Sequence, residues 1–216
     1  MSTRLVNLVI GAARPEVLAD FWAALLGRRV AVAAPGARVP GTDIGDLDLL
    51  FVPVAEPKEV KNRIHLDLAS TTPAHQAELV ARALELGGRR VDLGQGAVPW
   101  VVLADPEGNE FCVLEPRARY SDTGAVAAIL VDAHDPESLA AFWASVTGWP
   151  VRARDGDVLV GLRAPSGRGP WLEFLRNDDV KRHRNRVYLG VAADPASSWG
   201  ELVDPEGNEF CVLPPR

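Results

Sequence analysis

The chain has 216 residues, with 23 Lys and Arg against 29 Asp and Glu, a formal net charge of −6, 47% hydrophobic residues and 24% charged ones. That is an ordinary globular composition, and its acidic balance argues against nucleic acid as the main partner. No apolar run approaches the roughly 18–20 residues of a membrane span, and the opening MSTRLVNLVIGAARPE reaches a Pro and a Glu too soon for a secretory signal, so a cytoplasmic protein with no membrane partner is expected.

In chain order, RLVNLVIG alternates apolar and polar residues and predicts a strand. RPEVLADFWAALLG predicts a helix: Pro15 suits the first turn, Val17, Leu18, Phe21, Trp22 and Leu25 share a face, and Gly27 ends it. Short strands follow at 29–33 and 47–54, with a Gly- and Pro-rich connection (35–45) between them. The cycle restarts with a strand at 63–69, a helix at 73–86 capped by Thr72 and opened by Pro73, and strands at 89–92, 98–104 and 109–115. Between the last two, Pro106 suits the second position of a type I turn, and Gly108 can take the left-handed conformation that closes a three-residue hairpin. Turn-rich strands of this kind suit antiparallel pairing, which makes the fold α+β.

The cycle then repeats. DPEGNEFCVL occurs at 105–114 and again at 204–213, and residues 100–115 match 199–214 at twelve of sixteen positions, Trp100 with Trp199 included. ADFWAALLGRRV (19–30) aligns with AAFWASVTGWPV (140–151), so the chain is a tandem duplication with its joint in the polar stretch PRARYSDT (116–123). Two domains, 1–118 and 119–216, are expected, each with two similar units. The offset between copies falls from 123 to 99, so 24 residues are missing from the second half between Val191 and Trp199. They remove the counterpart of the 73–86 helix. The loss should expose the convex side of a sheet as an apolar patch or an interface. A monomer that is its own pseudo-dimer and a homodimer both fit, and the sequence leaves open how the units pair.

The strand–helix–strands units, LADFWAALLG after a first strand, EPKEVKNRIHLDL and the closing ADPEGNEFCVLEP together resemble the vicinal oxygen chelate superfamily, which includes glyoxalase I, bleomycin-resistance proteins and extradiol dioxygenases. Within it they look most like actinobacterial glyoxalase-like domains. The resemblance covers about 1–116 and 124–214. It implies βαβββ units that form two curled antiparallel sheets, or cups, with helices on the convex faces and the last unit lacking its helix. Relatives with a divalent metal carry ligands on the first and last strands of each unit. Those positions fall on Asn7, Leu50, His65 and Cys112 in the first half, and on Ala128, Glu173, Tyr188 and Cys211 in the second. Neither set offers three good ligands, so no metal or other cofactor is expected.

Alternation in NRIHLDL puts His65 and Asp67 on the face opposite Ile64, Leu66 and Leu68, that is, toward the cup. A histidine satisfied by a neighbour competes there with ligand recognition or general-base work, for which Asp67 would orient the imidazole. Cys112 and Cys211 lack a C-x-x-C partner and a nearby cation in sequence, so packing is their expected role. Glu173 should meet an arginine such as Arg186, or a ligand cation. Trp100 and Trp199, at the start of matched strands, are candidate aromatic walls, with a core role at the hairpin edge equally open; Trp22 and Trp143 read as core. KRHRNR (181–186) reads as a solvated loop. The expected function is metal-independent binding of a small, partly aromatic molecule, with His65, Trp100, Glu173, Tyr188 and Trp199 as ligand contacts. The alternative is a lyase or isomerase of glyoxalase type, using a divalent metal or a His65/Asp67 acid–base pair.

Overall fold

A computed structural model of the chain describes residues 4–42, 46–192 and 200–213. Four units follow one another. The first has β1 (Arg4–Ala12), α1 (Pro15–Leu26), β2 (Ala31–Val32), β3 (Ala37–Val39) and β4 (Asp48–Pro53). The second has β5 (Ile64–Leu68), α2 (Pro73–Glu85), β6 (Arg89–Arg90), β7 (Val101–Ala104) and β8 (Glu110–Val113). The third has β9 (Val126–Ala133), α3 (Pro136–Thr147), β10 (Val151–Asp155), β11 (Leu159–Leu162) and β12 (Trp171–Arg176). The fourth keeps only β13 (Val187–Ala192), β14 (Gly200–Val203) and β15 (Glu209–Leu213). β3 lies inside the Gly- and Pro-rich stretch that reads as a connection in the sequence. Among the described residues no helix separates β13 from β14, and residues 193–199 lie outside them.

The units pair across the halves. Units one and four form a seven-stranded sheet, β14-β15-β13-β1-β4-β3-β2, and units two and three an eight-stranded one, β10-β11-β12-β9-β5-β8-β7-β6. Both are mixed rather than wholly antiparallel, because the first and last strands of each unit run parallel (β1 with β4, β5 with β8, β9 with β12, β13 with β15). A helical crossover lets them do so, while the hairpins between them stay antiparallel.

The two sheets share one core, to which Leu8, Ile10, Leu49 and Phe51 contribute from the first and Leu66, Ile129 and Phe174 from the second. Helices lock units to one another. Trp22 of α1 meets Phe111 of β8 edge-on at 5.0 Å, and Trp143 of α3 meets Phe210 of β15 at 5.1 Å. Phe210 is therefore buried although its own unit has no helix among the described residues. Among the described residues of β14 and β15, the exposed large apolar side chains are Leu202 and Val203, at 54% and 61% exposure, so the apolar face expected from that loss is small. Val17, placed on the buried face of α1 by its spacing, is 47% exposed. No helix is long and apolar enough to cross a membrane among the described residues.

The repeated decapeptide is a structural clamp. Asp105 accepts hydrogen bonds from the Glu107 and Asn109 N–H groups and from Trp22 Nε1, and Asp204 accepts the same set from Glu206, Asn208 and Trp143. Gly108 and Gly207 adopt φ of 90° and 80°, which a residue with a Cβ resists. Glu107 accepts from the Ala13 and Arg14 N–H groups at the start of α1 and from Arg186; Glu206 does likewise with His134, Asp135 and Arg63. A carboxylate at a helix N-terminus satisfies donors that have no partner within the helix. The basic run at 181–186 serves the same frame: Lys181 pairs with Glu209, Arg184 with Glu201 and Arg186 with Glu107.

Candidate functional site

Sheet register puts two rows of residues on the outer face of the second sheet. Val102, Cys112, Asp67, Ala128 and Trp171 stand side by side across β7, β8, β5, β9 and β12. His65, Leu130, Glu173 and Gly161 form the next row across β5, β9, β12 and β11. The alternation that sends Leu66, Ile129 and Phe174 into the core sends these residues outward, as the sequence predicts for His65 and Asp67.

The linker between the halves closes over this face. Its 3₁₀ turn (Ala118–Tyr120) buries Tyr120 against Cys112, Leu114 and Ala127, with Trp100, Val102 and Trp171 around them. Tyr120 donates its hydroxyl to Glu173 Oε2 at 3.1 Å. Arg119 Nη2 reaches Glu173 Oε1 at 2.5 Å, and its guanidinium lies 4.3 Å from the Trp171 ring centroid. Arg163 approaches Trp171 at 5.2 Å, and Arg117 lies 5.7 Å from Trp100. Guanidiniums stacked on aromatic faces gain from both charge and area. The arginine expected beside Glu173 is thus present, but it is Arg119 from the linker; Arg186 is committed to Glu107.

Glu173 is only 1% exposed, and burial pushes its carboxyl above the usual range despite Arg119 and Tyr120. Burial, then the Asp67 carboxylate, pushes the Cys112 thiol up. His65 Nε2 lies 3.4 Å from Asp67 Oδ1. Three buried polar atoms of this face have no hydrogen-bond partner: His65 Nδ1, Asp67 Oδ1 and Trp171 Nε1. Most such groups in folded proteins are satisfied, so three on one face need an explanation.

His65, Asp67 and Cys112 bring their donor atoms within 4.8 Å of one another. The ligand set implied by the family resemblance does not fit this face. Its position on β9 is Ala128, which has no donor, and Glu173 on β12 is already held by a guanidinium and a phenol.

The outer face of the first sheet collects the remaining positions: Asn7 on β1, Leu50 on β4, Tyr188 on β13 and Cys211 on β15. Burial and the neighbouring Cys211 push the Tyr188 hydroxyl up to about 12. Asn7 is fully buried, both side-chain polar atoms lack a partner, and its Oδ1 lies where a Cβ on Gly190 would sit. The sequence candidates therefore separate: His65, Asp67, Trp100 and Glu173 gather on one face, and Tyr188 lies on the other. Trp199 falls outside the described residues. Arg119 and Tyr120 were missed because they stand in a polar joint with no periodicity; the two arginines followed by a tyrosine in PRARY are the local signal.

A family model described as a glyoxalase-like domain matches residues 7–114 and 128–199. The chain belongs to that family. The glyoxalase-like chain is similar in fold to glyoxalase I from Zea mays, at 15% identity and a TM-score of 0.70, over 98% of this chain and 92% of that one. It is also similar to a putative dioxygenase from Bacillus subtilis, at 12% identity and a TM-score of 0.62, over 98% and 84%. No protein of curated function matches it. The family match places it in the vicinal oxygen chelate superfamily, and the likenesses to solved structures show the shared fold and leave its activity to be argued from its own residues.

Proposed function

We propose that this glyoxalase-like protein binds a small, partly aromatic molecule on the outer face of its second sheet, without a metal. The observation that carries the reading is the coincidence, on one sheet face, of aromatic walls with orphaned polar atoms: Trp100, Tyr120 and Trp171 beside His65 Nδ1, Asp67 Oδ1 and Trp171 Nε1. Aromatic walls take a planar molecule by stacking, and a few convergent donors and acceptors fix its orientation. His65, Trp100 and Glu173 are the contacts carried forward from the sequence; Trp171 and Tyr120 join them.

Quinoline, a neutral bicyclic aromatic, titrated into chelator-treated protein should quench tryptophan emission saturably, with weaker binding in Trp171→Phe. Quenching that requires an added divalent ion, or that never saturates, contradicts the proposal.

A second reading has its own observation. Asp67 Oδ1 lies 3.4 Å from His65 Nε2, in reach to hold the ring as a general base needs, with Nδ1 unpartnered. In a lyase or isomerase of glyoxalase type, His65 would take a proton from substrate and Asp67 would hold the ring. Turnover of an aldehyde–thiol adduct by chelator-treated protein, lost in His65→Ala, would favour it; no turnover would sink it.

A further inference from the structure

We infer that the outer face of the second sheet holds a receptor for a planar cation, a guanidinium or amidinium joined to an aromatic group, and that Arg119 of the linker fills it as an internal stand-in. The inference deepens the binding reading above and rests on it.

Four groups build the receptor. Glu173 supplies a carboxylate that is 1% exposed, and Tyr120 fixes it by donating to Oε2. Trp171 supplies an aromatic plane 4.3 Å from the guanidinium carbon. Gly161 supplies space, since a Cβ there would come within 2.6 Å of Arg119 Nη2 and 3.1 Å of the Trp171 ring. Arg163 also lies over that ring, at 5.2 Å from its centroid. A carboxylate buried this deeply is costly without a cation, and a flat, weakly hydrated cation on an aromatic plane is the cheapest to desolvate.

The other sheet shows what the linker is replacing. β3 pairs with β4 so that Arg38 stands opposite Leu50, and β11 pairs with β12 so that Gly161 stands opposite Glu173. Units one and three therefore match Arg38 with Gly161. In the first sheet the guanidinium grows from the strand and meets Asp48 at 3.6 Å. In the second the strand offers glycine, and the guanidinium arrives from outside.

It arrives through an open side. The Arg119 side chain is 32% exposed while its partner is 1% exposed. Tyr120 anchors the linker separately, and Arg163 holds the Asp122 carbonyl oxygen. A small cation can thus take the place of the Arg119 side chain while the linker stays seated. Because the internal group is tethered, it competes at an effective concentration in the millimolar range, about 1 mM or more.

Arg119→Ala empties the receptor. Benzamidine should then raise the melting temperature saturably and bind at least about tenfold more tightly than to the unaltered protein, the occupancy penalty expected of a tethered competitor. Benzamide, its neutral isostere, should do neither, and Glu173→Gln combined with Arg119→Ala should abolish the benzamidine effect. Equal binding of benzamide and benzamidine, or benzamidine binding that survives Glu173→Gln, overturns the inference. If Arg119→Ala does not fold, the unaltered protein decides: saturating benzamidine should shift the Arg119 Nε–H resonance away from its ring-shielded position, and an unmoved resonance overturns the inference. Quinoline separates the two levels. Quinoline binding without preference for benzamidine over benzamide leaves the binding face standing and removes the cation receptor; no binding of either removes both.

Discussion

The two outer faces are built from the same unit, yet one buried polar side chain of each comes from the opposite strand of the pairing. In the first sheet Asn7 on β1 stands beside Gly190 on β13, and the asparagine lies across the glycine. In the second the β9 position is Ala128 and the β5 position is Asp67. One polar side chain sits at the centre of each face, contributed from opposite sides of the pairing. The guanidinium at the next strand shows the same exchange, strand-borne as Arg38 in one face and linker-borne as Arg119 in the other. Duplication has kept the clamp of the decapeptide in both halves while these face positions changed residue.

Several substitutions break or sharpen this comparison. The largest effect concerns the shared frame. Trp22→Ala and Trp143→Ala each remove a buried indole that packs on a phenylalanine and donates to an aspartate. Each should cost about 3–5 kcal/mol in urea unfolding. The two costs should agree within about 1 kcal/mol; a larger gap would mean the clamps are not equivalent.

The faces themselves should differ. Arg119→Ala strands a buried carboxylate and should cost about 1–3 kcal/mol. Arg38→Ala breaks a half-exposed pair and should cost about 0–1 kcal/mol. Equal costs would show that Glu173 does not depend on the linker.

A smaller effect follows from Glu173 titration. Its folded-state value is raised above the ordinary 4.5 by burial, so the charged form is disfavoured in the native protein. Its contribution to stability therefore increases as pH falls from neutral through the raised value, and levels off below about 4.5, where the unfolded carboxyl is also protonated. Glu173→Gln should remove that part of the pH dependence of unfolding, and an unchanged profile would assign it elsewhere.

The smallest effect is chemical. Both thiols are pushed up by burial, but Cys112 is buried beside the Asp67 carboxylate while Cys211 is half-buried. A disulfide reagent at pH 8 should modify Cys211 first, by at least about tenfold in rate, because the thiolate is the reacting form. Mass mapping of the labelled peptides checks the order.

Much of the frame was legible because it rests on local chemistry. Pro15 and Gly27 bound α1, Thr72 caps α2 by accepting from the His75 N–H, and Pro106 with Gly108 sits in the hairpin turn. The outward direction of His65 and Asp67 followed from alternation alone. The pairing of units did not, because β1–β13 and β5–β9 contacts join residues far apart in the chain with equally apolar inner faces. The linker's role was hidden for a different reason. Arg119 and Tyr120 belong to no periodic element, and their partners Gly161, Trp171 and Glu173 lie some forty to fifty residues further on. β3 was missed because its three residues are flanked by turn formers that outweigh it in any local window.

The most direct measurement follows the Trp171 indole N–H by NMR as quinoline is added to chelator-treated protein. A saturable shift of Trp171 Nε1–H is expected, with no change at the core residues Trp22 and Trp143, since the Trp171 donor is buried without a partner and theirs are bonded to aspartates. A Trp171 resonance that stays in place at saturating quinoline, or moves only after a divalent ion is added, would contradict it.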